Sequence, residues 1–306
     1  MLSNPPREHH RLPRWYLRRF ADDSSRTLVV GPDGERKLAS IKRATVVTDY
    51  YALEHPDGSL DQSVEVAIGP SESAGADVCR SMLAGRFPPS DADRLEFAGF
   101  LALQTVRGAM FRRVWEELAA VAGKTPSRNA TMRTTLDQLP QLANVLLRMR
   151  WRLNQSERPI FFTGDQPVVY WRRGASPRFF DGIGPMTAEE IRFVLDPQHV
   201  LVLTWRGNEQ DERTFRLGEA EATAMNVFLA RWCEYELYCQ PDLEHYLPDI
   251  RPAPLPSSAD PQEAEEVVAE LKRLGNWREA ALVASSRGWG DQVEGYGAQR
   301  GRRLRF

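Results

Sequence analysis

Two side chains in this sequence have the types and the surroundings needed for acid/base chemistry, and the first is His10. It precedes Pro13, which suits the first turn of a helix because its missing N–H needs no partner there. We therefore expect His10 just ahead of a short helix, at the positive end of the helix dipole. A neutral, partly buried imidazole in that place could act as an acid, a base or an anion contact. The alternative is a capping histidine that only fixes the entry of the chain into the fold.

Asp165 is the carboxylate that we expect to work with His10. The residues from Pro159 to Trp171 predict two short strands joined by a tight polar corner, since Gly164 permits a close approach and Pro167 disfavours helix before it. Asp165 would project from this corner and orient or deprotonate the imidazole. Alternatively it closes an Asx-turn, in which the carboxylate serves only the local backbone.

Three further polar side chains fall within patterns that predict buried helices. Ser90 can cap a long helix whose apolar stripe is interrupted by Gln104 and Arg107, and Asn226 lies among apolar residues of a helix from Gly218 to Arg231. Buried polar groups need partners, so we expect these three side chains to bind an anionic group of a substrate, such as a phosphate. The alternatives are an Arg107 that extends to water and an Asn226 in a structural hydrogen-bond network.

Two short motifs, one near the N-terminus and one in mid-chain, occur in an order that is typical of a known family. The first is H-x-x-P-x-x-Y-L-x-x-F, and the second is F-x-[ST]-x-D-x-P-V. They consist of His10, Pro13, Tyr16, Leu17 and Phe20, and of Phe161, Thr163, Asp165, Pro167 and Val168. Together they resemble the bacterial domain of unknown function 4238, over roughly residues 8 to 242.

This resemblance implies a set of polar positions and little about activity. The family tends to carry a polar residue at the positions of Gln104, Arg107 and Asn226. It usually has serine where this chain has Gly164 and Asp196, so a role that needs a hydroxyl at either position is in doubt. No activity is established for the family, and some members resemble single-gene components of bacterial anti-phage defence loci.

The composition predicts a soluble globular protein. Of 306 residues, 42% are hydrophobic and 27% are charged, and no apolar stretch approaches the roughly 20 residues of a membrane helix. The N-terminus lacks an apolar signal core, so we expect a cytoplasmic location and no membrane partner. Three cysteines without a CxxC pair favour neither a disulfide framework nor a zinc site. We expect no metal, and the sequence identifies no cofactor.

The charge is unevenly distributed along the chain. The net charge is −2, yet residues 1–20 hold five arginines against one glutamate, and residues 287–306 hold five arginines against two acidic residues. The two ends are therefore basic and the body is acidic. Such ends could contact nucleic acid, a nucleotide or the acidic body of another copy, although charged termini are usually only solvated.

The pattern of elements predicts an α+β fold in which helices pack on a mostly antiparallel sheet. Hairpins are expected around Gly31–Gly34 and around Asp196–Gln198. Residues 56–76 are a polar stretch, and a helix is expected after it around Ala76–Leu83. A second long helix is expected from Thr134 to Leu153, bent at Pro140. We divide the chain into a main domain at 1–247, a Pro-rich linker at 248–259, a helical hairpin at 260–286 and a basic, disordered tail at 287–306.

Two functional hypotheses follow. In the first, the protein is an anti-phage or toxin-like enzyme, such as a hydrolase or nuclease, that acts on nucleic acid or a nucleotide. His10 and Asp165 would be catalytic, and Gln104, Arg107 and Asn226 would bind substrate. In the second, the protein is a non-catalytic sensor or interaction module whose buried polar cluster is structural. A shared open pocket favours the first hypothesis, and a closed, mutually bonded cluster favours the second.

Overall fold

The structure, a computed structural model, describes residues 8–121, 123, 125, 127–173, 184–246 and 252. The predicted hairpin at 260–286 and the tail at 287–306 lie outside the described residues, as does most of the linker. The described part contains helices packed on mixed but mostly antiparallel sheets, which confirms the α+β prediction.

Thirteen strands and seven α-helices make up the described chain, together with short 3₁₀ helices. The strands are β1 (Glu8–His10), β2 (Arg26–Val30), β3 (Arg36–Ser40), β4 (Val46–Thr48), β5 (Leu53–Glu54), β6 (Leu60–Asp61), β7 (Arg150–Ser156), β8 (Thr163–Gly164), β9 (Val168–Trp171), β10 (Glu190–Asp196), β11 (His199–Thr204), β12 (Thr214–Leu217) and β13 (Leu237–Cys239). The helices are α1 (Arg14–Leu17), α2 (Ser63–Leu83), α3 (Asp91–Val106), α4 (Ala109–Val121), α5 (Arg128–Asp137), α6 (Leu139–Arg148) and α7 (Glu219–Arg231).

A five-stranded sheet lies at the centre, in the order β12-β7-β11-β10-β9, with only β12 and β7 parallel. Trp151 and Phe193 point to one face, where both rings contact Phe97 of α3. Arg192 points to the other face, where its guanidinium lies 5.6 Å from the ring of Phe228 on α7. Because helices cover both faces, the inner strands bury most of their side chains, whereas the edge strand β12 has two exposed residues.

A smaller antiparallel sheet joins distant parts of the chain in the order β3-β2-β13-β8. The predicted hairpin of β2 and β3 is present, and Gly34 in its turn has a φ of 83°, which glycine adopts without strain. Leu237 of β13 pairs with Val30 on one side and with Gly164 on the other. Strand β13 therefore lies between the N-terminal hairpin and the corner that contains Asp165.

Three predictions about helices were wrong. The helix expected from Thr134 to Leu153 is two helices followed by strand β7, because Pro140 begins a new helix in its first turn and Trp151 and Leu153 enter the sheet. The long helix from Ser90 is divided at Gly108, where the Gln166 side chain occupies the space of a Cβ. The polar stretch before residue 76 is the first half of α2.

A short helix follows His10, as expected, but it is too short to support the argument from its dipole. His10 is the last residue of β1 and pairs with Val46 of β4. The helix that follows, α1, is a single turn of four residues with Pro13 as its N-cap residue. A single turn has too few aligned peptides to supply a useful dipole, so this argument for an activated His10 no longer holds.

Candidate functional site

Arg107 is the centre of a closed hydrogen-bond cluster at the C-terminal end of α3. Its Nε donates to the Tyr51 hydroxyl at 2.6 Å, its Nη1 donates to Glu72 Oε1 at 2.5 Å, and its Nη2 donates to the His10 carbonyl. The Tyr50 hydroxyl donates to the Arg107 carbonyl at 2.9 Å. The side chain is 2% exposed, so Arg107 does not extend to water.

The charge of Arg107 is compensated inside the protein. Burial alone would lower the pKa of Arg107, but the Tyr51 hydroxyl and the Glu72 carboxylate raise it above its ordinary value. The Arg107 guanidinium also lies 5.3 Å from the centre of the Tyr51 ring, a cation–π distance. The cluster therefore joins β1, α2 and α3 around a permanently charged arginine, and each guanidinium nitrogen has a protein acceptor.

Asp165 ties the mid-chain corner to the segment that enters β13. Its Oδ1 accepts from the Glu234 N–H at 3.0 Å and its Oδ2 from the Tyr235 N–H at 2.9 Å, while its own N–H donates to the Glu236 carbonyl at 3.0 Å. The residue is 2% exposed, and burial raises the pKa of Asp165 to about 6, against the opposing effect of the two N–H donors and Arg11. The carboxylate thus caps backbone about 70 residues away, a long-range counterpart of the predicted Asx-turn.

His10 and Asp165 are not joined by a hydrogen bond in the described part of the chain. Burial lowers the pKa of the half-buried His10 imidazole, and a hydrogen bond with the Ala44 backbone opposes this effect. The charged groups that act on His10 are Arg14, Glu72 and Arg107. Its buried Nδ1 has no hydrogen-bond partner among the described residues. Glu72 is therefore the carboxylate that acts on His10. The Asp165 charge acts instead on the next residue, Arg11, and is one of the groups that raise the pKa of Arg11.

The other two predicted binding residues are buried in separate places. Asn226 is 1% exposed and donates through Nδ2 to the Ile160 carbonyl at 2.7 Å, which links α7 to the segment before β8. Gln104 is also 1% exposed, and within the described residues neither atom of its amide group has a partner. The five predicted site residues do not share an open pocket in the described structure.

An open groove of about 490 Å³ is lined in part by Tyr235 and Glu236, whose backbones Asp165 binds. It is lined by Arg11, the β2–β3 turn, Lys37, Tyr235 and Glu236. Arg11 Nη2 lies 3.5 Å from Glu236 Oε2, and the guanidinium lies 5.8 Å from the centre of the Tyr235 ring. Tyr235 is 46% exposed. The Asp165 carboxylate accepts from the Tyr235 N–H, and the Asp165 N–H donates to the Glu236 carbonyl. Asp165 therefore positions the two residues that form one wall of the groove.

Comparison with known proteins assigns the chain to a family without assigning a reaction. A family model described as a protein of unknown function (DUF4238) matches residues 8–242. The chain belongs to this family. Searches of the curated proteins and of the solved structures found no match. The DUF4238 match includes Arg107, Asp165 and the groove, so each of these features lies within the shared part of the chain.

Sequence reasoning missed Glu72 and Arg11 in this DUF4238 chain. Glu72 lies in a stretch that contains Gly69 and Pro70, two residues that argue against a helix, so nothing placed its carboxylate on a helix face. In the sequence, Arg11 is distinguished only as one of the five arginines of the basic N-terminal stretch. The available signal was its position beside His10 in the first family motif, where a partly buried arginine needs an acidic partner.

Neither a metal-binding group of side chains nor a membrane-spanning helix is present among the described residues. Among the described residues, no group of three or more histidine, cysteine, aspartate or glutamate side chains could hold a metal ion. No helix in the described ranges has the length and apolar character needed to span a membrane.

Proposed function

We propose that this DUF4238 protein is a non-catalytic sensor or interaction module whose buried polar cluster is structural. The observation that supports this function is that the Arg107 cluster and the Asp165 corner are each buried and bonded to protein atoms. Arg107 and Asp165 are 4% and 2% exposed, and their charged groups are bonded to protein atoms. A side chain in this state cannot reach a substrate without breaking the contacts that hold β1, α2 and the β13 segment in place.

Recognition in this proposal takes place at the groove beside Arg11. Arg11 and Lys37 offer cations, Glu236 and the β2–β3 turn offer carboxylates, and Tyr235 offers an exposed aromatic ring. A surface with both signs of charge around an aromatic ring suits a polar protein segment better than a phosphate backbone, since carboxylates repel phosphate. Asp165 acts in this proposal as a positioning residue for Tyr235 and Glu236.

The enzyme hypothesis remains the competing proposal, in a changed form. His10 keeps an unbonded Nδ1 in a half-buried position, and Glu72 is the acidic group that acts on it. An enzyme acting on nucleic acid or a nucleotide would therefore use His10 with Glu72, because both oxygens of Asp165 are held by backbone N–H groups. The anti-phage role belongs to this competing proposal, whereas the cytoplasmic location predicted from the composition stays a prediction for either function.

One set of variants tests the two functions against each other. Arg107→Gln should lower the free energy of unfolding by about 3 kcal/mol, since it leaves the buried cluster without its cation. Arg133→Gln, at an exposed arginine of α5, is the matched control and should change little. If induced expression slows growth of a bacterial host, Tyr235→Ala and Lys37→Ala should abolish the effect while His10→Gln retains it. Loss of the effect in His10→Gln, with an unchanged melting temperature, would favour the enzyme.

A further inference from the structure

Strand β3 forms an exposed edge of the smaller sheet. Within the described residues it pairs only with β2, and four of its five residues are exposed. The pairing is regular along its whole length, with no bulge, and β3 contains no proline. Bulges and prolines are devices that keep an edge strand from pairing with another chain, and charged side chains are a third. Of these three, β3 has only charge, which restricts the choice of an added strand without blocking the backbone.

The backbone of Leu38 faces the open side of β3. In an antiparallel pair, positions whose N–H and C=O groups face the partner strand alternate with positions whose groups face away from it. The Ile41 N–H donates to the Ser25 carbonyl at 3.1 Å, so Ile41 is a position that faces β2. Counting in steps of two along the regular register, Lys37 also faces β2, and Leu38 faces outward. A further strand could therefore bond to the Leu38 N–H and carbonyl.

The groove beside Arg11 opens on one face of this edge. Lys37 lines the groove, and because side chains alternate along a strand, Leu38 points to the opposite face. Glu35, two positions before Lys37, lines the groove as well. A strand added to β3 would therefore place one series of side chains beside Lys37 and Glu35, at the groove, and the other series beside Leu38.

Charge and exposure along β3 define the chemistry of the added strand. Lys37 and Glu35 are exposed, and neither forms an ion pair within the described part of the chain. Opposite charges directly across two strands are stabilising, whereas like charges are destabilising. An acidic side chain therefore fits opposite Lys37, and a basic one fits opposite Glu35. Leu38 is 50% exposed, so an apolar residue opposite it would bury apolar area on the other face.

We propose that the protein segment recognised at the groove adds to β3 as an antiparallel strand. An apolar residue of this segment lies opposite Leu38, an acidic residue opposite Lys37 and a basic residue opposite Glu35. The inference rests on the proposed function and gives it a binding mode, in which main-chain hydrogen bonds to β3 supply affinity and the groove selects side chains.

A second copy of the chain fits this edge less well than an extended peptide. In an antiparallel pair of two β3 strands centred on Leu38, Lys37 would lie opposite Ala39 and would find no acidic partner. Two edges of five residues also bury little area by themselves, against the roughly 1,200 Å² of a specific protein interface.

A designed peptide and amide hydrogen exchange in the full-length protein test the strand addition. The probe is Thr-Thr-Val-Glu-Thr-Lys-Thr with blocked ends, which places valine opposite Leu38, glutamate opposite Lys37 and lysine opposite Glu35. In the free protein, the Leu38 N–H should exchange quickly and the Lys37 N–H slowly. Saturating peptide should slow the exchange of Leu38 about tenfold, the factor expected for one net hydrogen bond, and leave Lys37 unchanged. The control peptide, with glutamate and lysine exchanged, should bind more weakly.

Two substitutions at one position separate the main chain from the side chain. Leu38→Pro removes an N–H that faces outward, so it breaks no bond to β2 and should weaken peptide binding about tenfold. Leu38→Ala keeps the N–H and should weaken binding about threefold or less. Equal melting temperatures confirm that both variants fold. Unchanged binding to Leu38→Pro, or no binding of the peptide to the unsubstituted protein, would overturn the inference.

Two further outcomes would assign the edge to another occupant and would also overturn the inference. Slow exchange of the Leu38 N–H in the free monomer would mean that the chain itself covers β3. Exchange that slows with rising protein concentration would mean a second copy. The proposed function fails separately. If Leu38→Pro keeps a growth effect that Tyr235→Ala abolishes, strand addition is wrong and recognition at the groove stands.

Discussion

The Tyr16 hydroxyl lies 2.7 Å from Thr163 Oγ1, although 147 positions separate the two residues. The same hydroxyl donates to the Val194 carbonyl at 2.8 Å, so the Thr163 hydroxyl is the donor in the first contact. The Tyr16 ring stacks on Phe193 with ring centres 5.0 Å apart. The N-terminal motif, the mid-chain motif and strand β10 therefore meet at one buried tyrosine, which gives the joint occurrence of the two motifs a structural reason.

Removing the Tyr16 hydroxyl should destabilise the fold more than removing its donor. Tyr16→Phe leaves the Val194 carbonyl and the Thr163 hydroxyl without a buried partner, at a cost of about 2 kcal/mol, whereas Thr163→Val should cost about 1 kcal/mol. Urea unfolding of both single variants and of the double variant gives the coupling between them. Additive losses would show that the two hydroxyls act independently, contrary to the observed contact.

A buried ion pair between α3 and the segment before β12 should matter more than an exposed one. Arg94 binds both oxygens of Glu212, at 3.0 and 2.8 Å, and Glu212 Oε1 also accepts from the Trp151 N–H at 3.2 Å. The two side chains are 10% and 9% exposed. Glu212→Gln should therefore lower the free energy of unfolding by about 3 kcal/mol.

The pair formed by Arg80 and Asp77 is the control, since these side chains are 70% and 71% exposed. Asp77→Asn should change stability by less than about 1 kcal/mol. Thermal melts of the two variants at low and high salt complete the comparison, because screening reduces only the exposed interaction. Similar losses in both variants would mean that the Arg94–Glu212 geometry contributes no more than surface charge does.

Asp165 should give the protein a pH-dependent stability of a particular sign. Its pKa is raised from 3.8 to about 6 in the folded chain, so its contribution is fully present below 3.8 and is lost as the pH rises through about 6. Each unit of pKa shift corresponds to roughly 1.4 kcal/mol. Relative to Asp165→Asn, the wild-type free energy of unfolding should therefore fall on the order of 3 kcal/mol between about pH 4 and pH 7.

Urea unfolding across this range provides the measurement for Asp165. The comparison with the asparagine variant is needed because the lowered pKa of His10 has the opposite effect, with stability lost as the pH falls. A difference between the two proteins that does not change with pH would mean that the carboxylate titrates near its ordinary value. In that case the two backbone N–H donors, rather than burial, determine its charge.

Local patterns gave the parts of the fold that depend on neighbours in sequence. The cap at Ser90 and the β10–β11 hairpin were both predicted, because side-chain capping and the alternation of apolar residues act over a few positions. Helix α2 was only partly predicted. It contains Gly69 and Pro70, and its Val64 and Ile68 join Tyr50 and Tyr51 in a small apolar cluster that the sequence does not show.

The candidate site could be predicted only as far as residue types. A buried Arg107 had to find an acidic partner, but that partner, Glu72, lies 35 positions away and is brought there by helix packing. The corner at Asp165 was expected to close on itself or to face a cleft. It binds the backbone of Glu234 and Tyr235 instead, because β8 and β13 are neighbours in the smaller sheet. Such pairings are set by tertiary contacts and leave no local signal.

Removal of residues 287–306 should leave the stability of the main domain unchanged. This stretch is rich in glycine and arginine and has few apolar residues with which to anchor itself. Melting temperatures of the full-length and shortened proteins provide the measurement. A fall of several degrees would show that the tail packs on the body, in conflict with the predicted domain division.

The imidazole of His10 should respond to Glu72 and not to Asp165. Glu72 raises the pKa of His10 against the lowering effects of burial, Arg14 and Arg107, so Glu72→Gln should lower that pKa further. Asp165→Asn should leave it unchanged, because that carboxylate binds two backbone N–H groups and forms no hydrogen bond with His10 among the described residues. NMR titration of the five histidines, with His10 assigned through His10→Gln, measures both effects. A titration that moves in Asp165→Asn and stays fixed in Glu72→Gln would restore the His10–Asp165 pair expected from the sequence and, with it, the original form of the enzyme hypothesis.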